Sequence, residues 1–201
     1  PGRVLNREEE RLYLMAASQP LQDYATVLVE AGLRPEELCK LAVRDLFLNV
    51  DKPYLLVKEG KTKAARRTVP LSKRAANVLA KRVADAKGKY IFAGGRGGND
   101  PNKPALKFNN AHYGTLRRSK IDGVNRSGTD GVCTLYSFRH TFATRFLERR
   151  PGDLLTLAAL LGHSSLRMAM RSAHPSDEHK FDAIRSMEEA HPKLPREDKA
   201  S

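Results

Sequence analysis

The amino-acid sequence predicts a mixed fold that is mainly α-helical and contains one small antiparallel β-sheet. Apolar residues recur at helical spacing over most of the chain, whereas residues 47–71 change to short runs rich in β-formers. A cluster of Gly, Asn and Pro at 94–104 predicts a loop. The 201 residues suffice for one substantial core, so we expect a single domain over 1–185 and a tail over 186–201.

Three helices are expected in the first part of the chain. Asn6 and Glu9 have the spacing of a capping box, which predicts that the first helix begins there. A second helical stretch follows Pro20. Pro35 suits the first turn of a third helix, so Arg34 lies at a loop-to-helix junction, where its charge is well presented.

The predicted sheet consists of three β-rich runs, LFLNV, YLLV and RTVPL. The basic segment GKTKAAR separates the second run from the third, so Lys61 and Lys63 lie on a hairpin turn. After the sheet the chain returns to helical patterns. Ser72 is expected to cap one helix, residues 103–120 to form another, and Ser137 to cap a third.

The chain is strongly basic, with 36 Lys and Arg against 23 Asp and Glu and a formal net charge of +13. This excess favours a polyanionic partner, with nucleic acid ahead of an anionic membrane surface. No apolar run is long enough for a membrane span, and the opening PGRVLNREEE lacks a signal-peptide core, so we expect a cytoplasmic protein. Cys39 and Cys133 are far apart, which favours two reduced, packed cysteines over a disulfide or a zinc site.

The stretch LYSFRHTFATR predicts an amphipathic helix that carries a polar cluster. Phe138, Phe142 and Phe146 are four residues apart and share one face, while Tyr136 and Arg139 point elsewhere together. Taken alone, the pattern also fits a basic surface helix.

Four segments follow one another along the chain: AGLRPEELCKL, GKTKAARRTVPL, LYSFRHTFATR and LLGHSSLRMAMRSAH. Together they resemble the catalytic domain of the tyrosine recombinases, the phage integrase family, from about Val4 to about Ala183. The resemblance implies an integrase-type catalytic domain over 1–185, in a bacterial or phage-encoded protein of the nucleoid that breaks and rejoins double-stranded DNA. In the family, a tyrosine attacks a phosphodiester and forms a 3′-phosphotyrosyl link, without a metal or nucleotide cofactor.

The resemblance assigns phosphate-binding roles to Arg34, Arg139 and His163, which match the family's two arginines and its late histidine. Guanidinium forks suit this role because a phosphodiester under attack gains charge on its non-bridging oxygens. Glu37 matches an acidic position that orients the cluster, and we expect His140 to support the same cluster from behind.

Two further side chains are expected beside the phosphate. Lys61 matches the family's hairpin lysine, whose ammonium can protonate the departing 5′ oxygen, and Lys63 is the alternative. Tyr136 stands where the family more often has histidine or lysine. A phenol can donate a hydrogen bond to phosphate, but it is a poor base near neutrality.

The position of the nucleophile holds Ser172 rather than tyrosine, nine residues after His163. A serine oxygen lies about 4 Å closer to its own backbone than a tyrosine oxygen, and small misplacements of reacting groups are expensive. We therefore expect the chain to bind a scissile phosphate but to cleave it poorly or not at all. An engineered change, natural decay and a tyrosine donated in trans by a partner all remain open.

Basic residues in three segments are expected to position the DNA backbone. They are Lys58, Lys63, Arg66, Arg67, Lys73, Arg74, Arg117 and Arg118. The resemblance begins almost at residue 1, so we expect the amino-terminal domain that usually completes the clamp around DNA to be absent. The family also implies that the carboxy-terminal segment docks on a neighbouring protomer, which would give a homo-oligomer on DNA.

Two other functions share this fold. The scaffold could serve only as a DNA-binding or regulatory protein, or it could relax DNA as a type IB topoisomerase does, without a second site. A metal-dependent nuclease is disfavoured, because the sequence has no His-Glu-x-x-His pattern and no acidic cluster near the arginines. We therefore expect neither a metal nor another cofactor.

Overall fold

The computed structural model describes residues 3–58, 65–94, 100–106, 108–121, 132–163 and 185, and it is mainly helical, as the sequence predicts. The described helices are α1 Arg7–Ala16, α2 Gln19–Ala31, α3 Pro35–Cys39, α4 Lys73–Ala84, α5 Asn109–Ser119, α6 Leu135–Arg149 and α7 Leu154–Leu161. The described strands are β1 Leu46–Phe47, β2 Tyr54–Val57, β3 Arg67–Pro70, β4 Ala93–Gly94 and β5 Asp100–Pro104. None of these helices combines the length and the apolar character that crossing a bilayer requires.

Strands β1, β2 and β3 form the antiparallel sheet that the sequence predicts. Leu55 of β2 lies opposite Leu46 of β1 and Val69 of β3. Leu55 and Val69 are buried, so one face of the sheet packs on the core. The connection between β2 and β3, which includes Lys61 and Lys63, lies outside the described residues.

A second antiparallel pair, β4 with β5, occupies part of the segment that we expected to be a loop. The loop prediction was wrong at these strands because it treated proline and glycine only as breakers. Pro101 and Pro104 are tolerated here since, among the described strands, β5 pairs with β4 alone, and an edge strand can accept a missing N–H. The helix expected over 103–120 therefore begins later, at Asn109.

Local capping explains where three helices begin. Asn6 and Glu9 form the predicted capping box of α1, with reciprocal hydrogen bonds of 2.8 and 3.0 Å. Ser72 caps α4, which confirms a second prediction. The start of α6 was predicted wrongly, because Thr134 is the N-cap and Ser137 is the third helical residue. The Ser137 hydroxyl accepts from the Thr134 N–H at 3.0 Å, so it completes the cap from inside the helix.

Helix α2 packs against α4 and α6 and lies within the main hydrophobic core. Its fully buried side chains include Leu21, Tyr24, Ala25 and Leu28. Phe138 of α6 joins this core, whereas Phe142 and Phe146 pack with α7 in a smaller cluster. The three phenylalanines thus serve two clusters rather than one. The two cysteines are buried and unbridged, as predicted.

Two sets of buried hydrogen bonds fix the beginnings of α3 and α6. The Tyr24 hydroxyl donates to the Pro35 carbonyl at 2.6 Å in the first turn of α3. The Tyr13 hydroxyl lies 2.7 Å from His112 Nδ1, and His112 Nε2 lies 3.0 Å from the Cys133 carbonyl, just before α6. Since a carbonyl only accepts, His112 donates from Nε2 and accepts from the tyrosine. Both helices therefore start at defined positions, which matters because each carries an arginine of the site.

Candidate active site

Three arginines, one glutamate and one histidine meet where α3, β3, α6 and the end of α7 come together. We call this group the arginine cluster, and its members are Arg34, Glu37, Arg67, Arg139 and His163. Four of them were predicted to be neighbours in one site. The fifth, Arg67, was predicted to contact DNA from the surface.

The Glu37 carboxylate binds two of the arginines. Arg34 donates to it from Nη1 at 2.7 Å and from the main-chain N–H at 2.8 Å. Arg67 donates through both terminal nitrogens, Nη1 at 3.0 Å and Nη2 at 2.9 Å. Burial acts to raise the pKa of Glu37, but the hydrogen bonds and charges of these arginines outweigh it and lower that pKa. Glu37 therefore stays ionised at neutral pH.

Arg67 lies in the interior rather than on a DNA-facing surface. Its side chain is 6% exposed, it pairs with Glu37, and its Nε donates to the Leu160 carbonyl at 2.6 Å. The expectation that Arg67 tracks the DNA backbone is therefore corrected. The physical reason is that Arg67 and the buried Val69 are two residues apart on β3 and share its inward face.

The end of α7 binds all three guanidinium groups through consecutive main-chain carbonyls. Leu160 accepts from Arg67 at 2.6 Å, Leu161 from Arg139 at 2.7 Å, and Gly162 from Arg34 at 3.2 Å. The carbonyl end of a helix carries partial negative charge, so it stabilises cations placed there. Gly162 ends the helix with φ 64, a left-handed conformation that favours glycine.

Arg139 is the most enclosed phosphate-binding candidate. Its Nη1 donates to the Gly32 carbonyl at 2.7 Å, and its Nη2 donates to Leu161 and lies 3.1 Å from His163 Nε2. Burial, and next the charge of Arg34, lower the pKa of Arg139 to about 9. The guanidinium thus remains protonated at neutral pH, and its orientation is set by fixed acceptors.

His163 is a neutral imidazole whose tautomer follows from its neighbour. Burial, then the charges of Arg139 and Arg34, lower its pKa to about 4. A guanidinium only donates, so Nε2 accepts from Arg139 and the proton resides on Nδ1. Among the described residues, Nδ1 is buried and has no hydrogen-bond partner. In this arrangement Nε2 carries no proton, so it can donate to an anion only after it leaves Arg139 and the ring proton moves from Nδ1 to Nε2.

Tyr136 lies at the rim of the cluster and is bound to an acidic neighbour. Its hydroxyl is 2.7 and 2.8 Å from the two carboxylate oxygens of Glu36, and the residue is 41% exposed. Burial, then the hydrogen bond and charge of Glu36, raise the pKa of Tyr136 to about 12. The phenol is therefore a hydrogen-bond donor and not a base at neutral pH.

The sequence profile of the phage integrase family matches residues 3–179. The chain belongs to the phage integrase family. A curated relative, the tyrosine recombinase of Thermosipho africanus, is 28% identical over 81% of this chain and 52% of its own length. The chain spans about half the length of the first curated relatives it matches.

Solved structures of recombinases share the fold. The Tn1549 transposon integrase in complex with a circular intermediate DNA has a TM-score of 0.72 at 18% identity, over 93% of this chain and 66% of that one. The catalytic domain of bacteriophage HP1 integrase has a TM-score of 0.61 at 20% identity, and the match covers 100% of both chains. These similarities establish an integrase catalytic-domain fold, which the sequence predicted.

Seven other predicted site residues of this integrase-family chain are among the described residues. His140 is half-buried, and burial followed by the charge of Arg139 lowers its pKa. Lys58 pairs with Asp45 at 2.5 Å. Those on the surface are Arg66, Lys73, Arg74, Arg117 and Arg118. Lys61, Lys63 and Ser172 lie outside the described residues.

Two of the surface arginines also bind the protein itself. Arg118 donates to the Ala16 carbonyl at the end of α1, at 2.9 Å from Nη2. Arg74 lies 2.9 Å from Glu10 and 3.2 Å from Glu30. No group of three His, Cys, Asp or Glu side chains suited to a metal ion occurs in the described ranges.

Sequence reasoning missed two participants, Glu36 and the inward role of Arg67. A signal existed for Arg67, because its two-residue spacing from Val69 on a predicted strand placed it on the buried face. No comparable signal marked Glu36. Its contact with Tyr136 spans 100 positions and depends on how α3 and α6 pack.

Proposed function

We propose that this chain is the DNA-binding catalytic domain of a site-specific recombinase that acts on a single phosphodiester. The observation that carries the proposal is the convergence of Arg34, Arg139 and His163 from three separate elements. In the arginine cluster, three guanidinium groups face one carboxylate and a neutral histidine, so two positive charges are uncompensated. Uncompensated buried charge suits a site that binds an anion.

Each cluster residue has a distinct task in this proposal. Arg34, whose side chain is 27% exposed, contacts the non-bridging oxygens directly. Arg139 contributes charge from a more enclosed position, at 8% side-chain exposure. His163 releases Arg139, its ring proton moves from Nδ1 to Nε2, and Nε2–H then donates to the phosphate, while Tyr136 turns from Glu36 to donate to it. Glu37 holds Arg34 in place, and His140 supports Arg139 from the same helix.

The proton and nucleophile steps involve two segments outside the described residues. Lys61, with Lys63 as the alternative, protonates the departing 5′ oxygen. Ser172 occupies the nucleophile position. Its side chain is too short to bring the hydroxyl to the point from which a tyrosine oxygen would attack. We infer that the chain binds the scissile phosphate and cleaves it poorly or not at all.

Replacing Ser172 by tyrosine tests the proposal. Ser172→Tyr should form a covalent protein–DNA adduct on a duplex that carries a nick near the cleavage site. Cleavage then releases a short fragment with the 5′-hydroxyl, so the adduct cannot be resealed and accumulates. The matched control is Ser172→Phe, which has the same ring without the hydroxyl and should form none. A folded, DNA-binding Ser172→Tyr protein that never forms an adduct, on any sequence in a random-site library, would contradict the recombinase proposal.

The same test separates a second candidate, a DNA-binding or regulatory protein without catalysis. Ser172 itself favours this candidate, since a binding module does not need the nucleophile. Such a protein would bind DNA and would not be activated by Ser172→Tyr. The two candidates differ only in chemistry, so adduct formation decides between them.

DNA is held, in this proposal, by basic residues outside the arginine cluster. They are Lys58, Arg66, Lys73, Arg74, Arg117 and Arg118, with Lys63 in addition. Support comes from the net charge of +13 and from the DNA complex of the Tn1549 transposon integrase, whose fold this chain shares. Binding by this chain alone should be modest and should weaken steeply with salt. Assembly into a homo-oligomer through the carboxy-terminal segment belongs to the same proposal.

A further inference from the structure

We propose that Arg67 is a positioning residue of the phosphate site, which acts through Glu37 and the end of α7 without touching the phosphate. This inference rests on the proposed function, because it names a further residue on which phosphate binding depends. The sequence instead predicts that Arg67, which follows a basic segment, contacts the DNA backbone from the surface.

The hydrogen bonds of Arg67 show why it does not reach a ligand itself. Nε donates to Leu160 at 2.6 Å, and Nη1 donates to the Ala65 carbonyl at 3.0 Å as well as to Glu37. Nη2 donates to the other Glu37 oxygen at 2.9 Å. All three nitrogens are thus engaged by the protein, and the side chain is 6% exposed. Its influence must pass through its partners.

The first influence is on charge. Without Arg67, Glu37 would face Arg34 alone in this set of hydrogen bonds, and its full negative charge would compete with phosphate for that arginine. Removing one guanidinium would also reduce the uncompensated charge of the cluster from two to one. A phosphodiester carries one negative charge, and it gains more during attack. Arg67 therefore matters most when the phosphate is most negative.

The second influence is on geometry. Arg67 joins β3 to α3 through Glu37 and to α7 through Leu160. Strand β3 directly follows the segment that contains Lys61 and Lys63. A planar guanidinium can bind a carboxylate through two nitrogens and a carbonyl through the third, whereas an ammonium cannot reproduce that fork. Arg67 thus ties the start of β3 to the arginine cluster.

Two substitutions separate charge from geometry. Arg67→Lys keeps the charge and loses the fork, while Arg67→Gln loses the charge. The readout is the pKa of the His163 ring, followed by NMR in the intact chain, because Arg67 is one of the cations that lower it. Arg67→Gln should move this pKa upward by about one unit, and Arg67→Lys should leave it near its original value. This split separates the charge of Arg67 from its fork geometry, and the phosphate affinity and the cleavage rate then show whether the geometry matters for the site.

A matched control and a rescue variant guard against misfolding. Arg82 also pairs with an aspartate and a carbonyl, at Asp23 and Ile91, but none of these belongs to the cluster. Arg82→Gln should leave the His163 pKa unchanged. If Arg67→Gln does not fold, Glu37→Gln with Arg67→Gln removes both charges together. That double variant should fold, because no unpaired carboxylate is left, but its affinity for dimethyl phosphate, read from the His163 ring shifts, should fall because Arg34 and the end of α7 lose their fixed partners. An unchanged affinity would contradict the positioning role.

Cleavage provides the second arm, in the Ser172→Tyr background. Arg67→Lys should slow adduct formation by about 100-fold with DNA affinity changed less than about threefold. The proposal is overturned if both Arg67 variants leave the His163 pKa and the cleavage rate unchanged, or if Arg82→Gln has the same effects. If Ser172→Tyr itself forms no adduct, the proposed function fails, and the NMR arm still decides the role of Arg67.

Discussion

The arginine cluster differs instructively from a second ionic group in the same chain. We call this group the glutamate network, and its members are Glu10, Glu30, Ser72, Arg74 and Arg145. Its two glutamates offset its two arginines, with the exposed Arg7 at the edge. The cluster instead has three arginines for one glutamate. A balanced network stabilises a fold, whereas a charge surplus that is held by carbonyls is suited to an external anion.

The largest expected difference between the two groups is in catalysis. In the Ser172→Tyr background, Arg139→Lys should slow adduct formation by about 1000-fold, because lysine cannot bind Gly32 and Leu161 and still stabilise the phosphate. Initial rates on a nicked duplex measure this. Arg145→Lys, in the glutamate network, should change the rate less than about threefold. Equal losses in the two variants would remove the distinction.

The next largest effect is on stability and concerns the glutamate network. Arg145→Met should lower the free energy of unfolding by about 3 kcal/mol, because Glu10 is 6% exposed and loses its nearest cation. Urea denaturation measures the change. Adding Glu10→Gln should recover much of the loss, since the carboxylate that needed the arginine is gone. Simple addition of the two single losses would show that the residues are not coupled.

Acid should destabilise the chain in two pH windows, an upper one set by His163 and His140 and a lower one set by glutamates of both groups. The pKa of His163 falls from 6.5 to about 4 on folding, and that of His140 is lowered too. Histidines in the unfolded chain take up protons at a higher pH than these two do in the folded chain. The free energy of unfolding should therefore decline by about 1–3 kcal/mol as pH falls from about 6.5 to about 4. Glu10 and Glu37, whose pKa values are lowered from 4.5, contribute stability that is present above about 4.5 and is lost as the pH falls below it.

Urea denaturation across this pH range tests the assignment of the windows. His163→Gln should flatten the decline between about pH 6.5 and 4 and leave the lower window intact. The double variant Glu10→Gln with Arg145→Met should affect only the lower window. If His163→Gln leaves the upper decline unchanged, the histidine is not the group that titrates there.

The smallest expected effect lies at the rim of the cluster. Glu36→Gln removes a negative charge beside Tyr136 and should raise the affinity for a short duplex by about threefold at low salt. Fluorescence anisotropy at two salt concentrations measures this. Glu8→Gln, on the exposed Glu8–Arg11 pair of α1, is the control for a general change in net charge. The same gain in both variants would mean that the effect is not local.

Much of the framework could be predicted because its signals are local. The Asn6 capping box, the Ser72 cap and the three β-rich runs each depend on residues within a few positions of one another. Local rules failed where neighbours in space decided the outcome. The prolines of β5 are accommodated by the pairing of β5 with β4. The error at Ser137 was of another kind, because its partner Thr134 is only three residues away and the cap was assigned to the wrong residue.

The sequence by itself determined the inventory of the site: a basic chain, four motifs in family order, and the residue types that a phosphate site needs. Only the tertiary structure decided how each charge is used. Arg66 and Arg67 are adjacent in sequence. Arg67 binds Glu37 and Leu160 in the interior, whereas Arg66 is exposed. The reason is physical. Whether a guanidinium binds the protein or an external anion depends on its burial and on its acceptors, which for Arg67 lie 30 and 93 positions away in the chain.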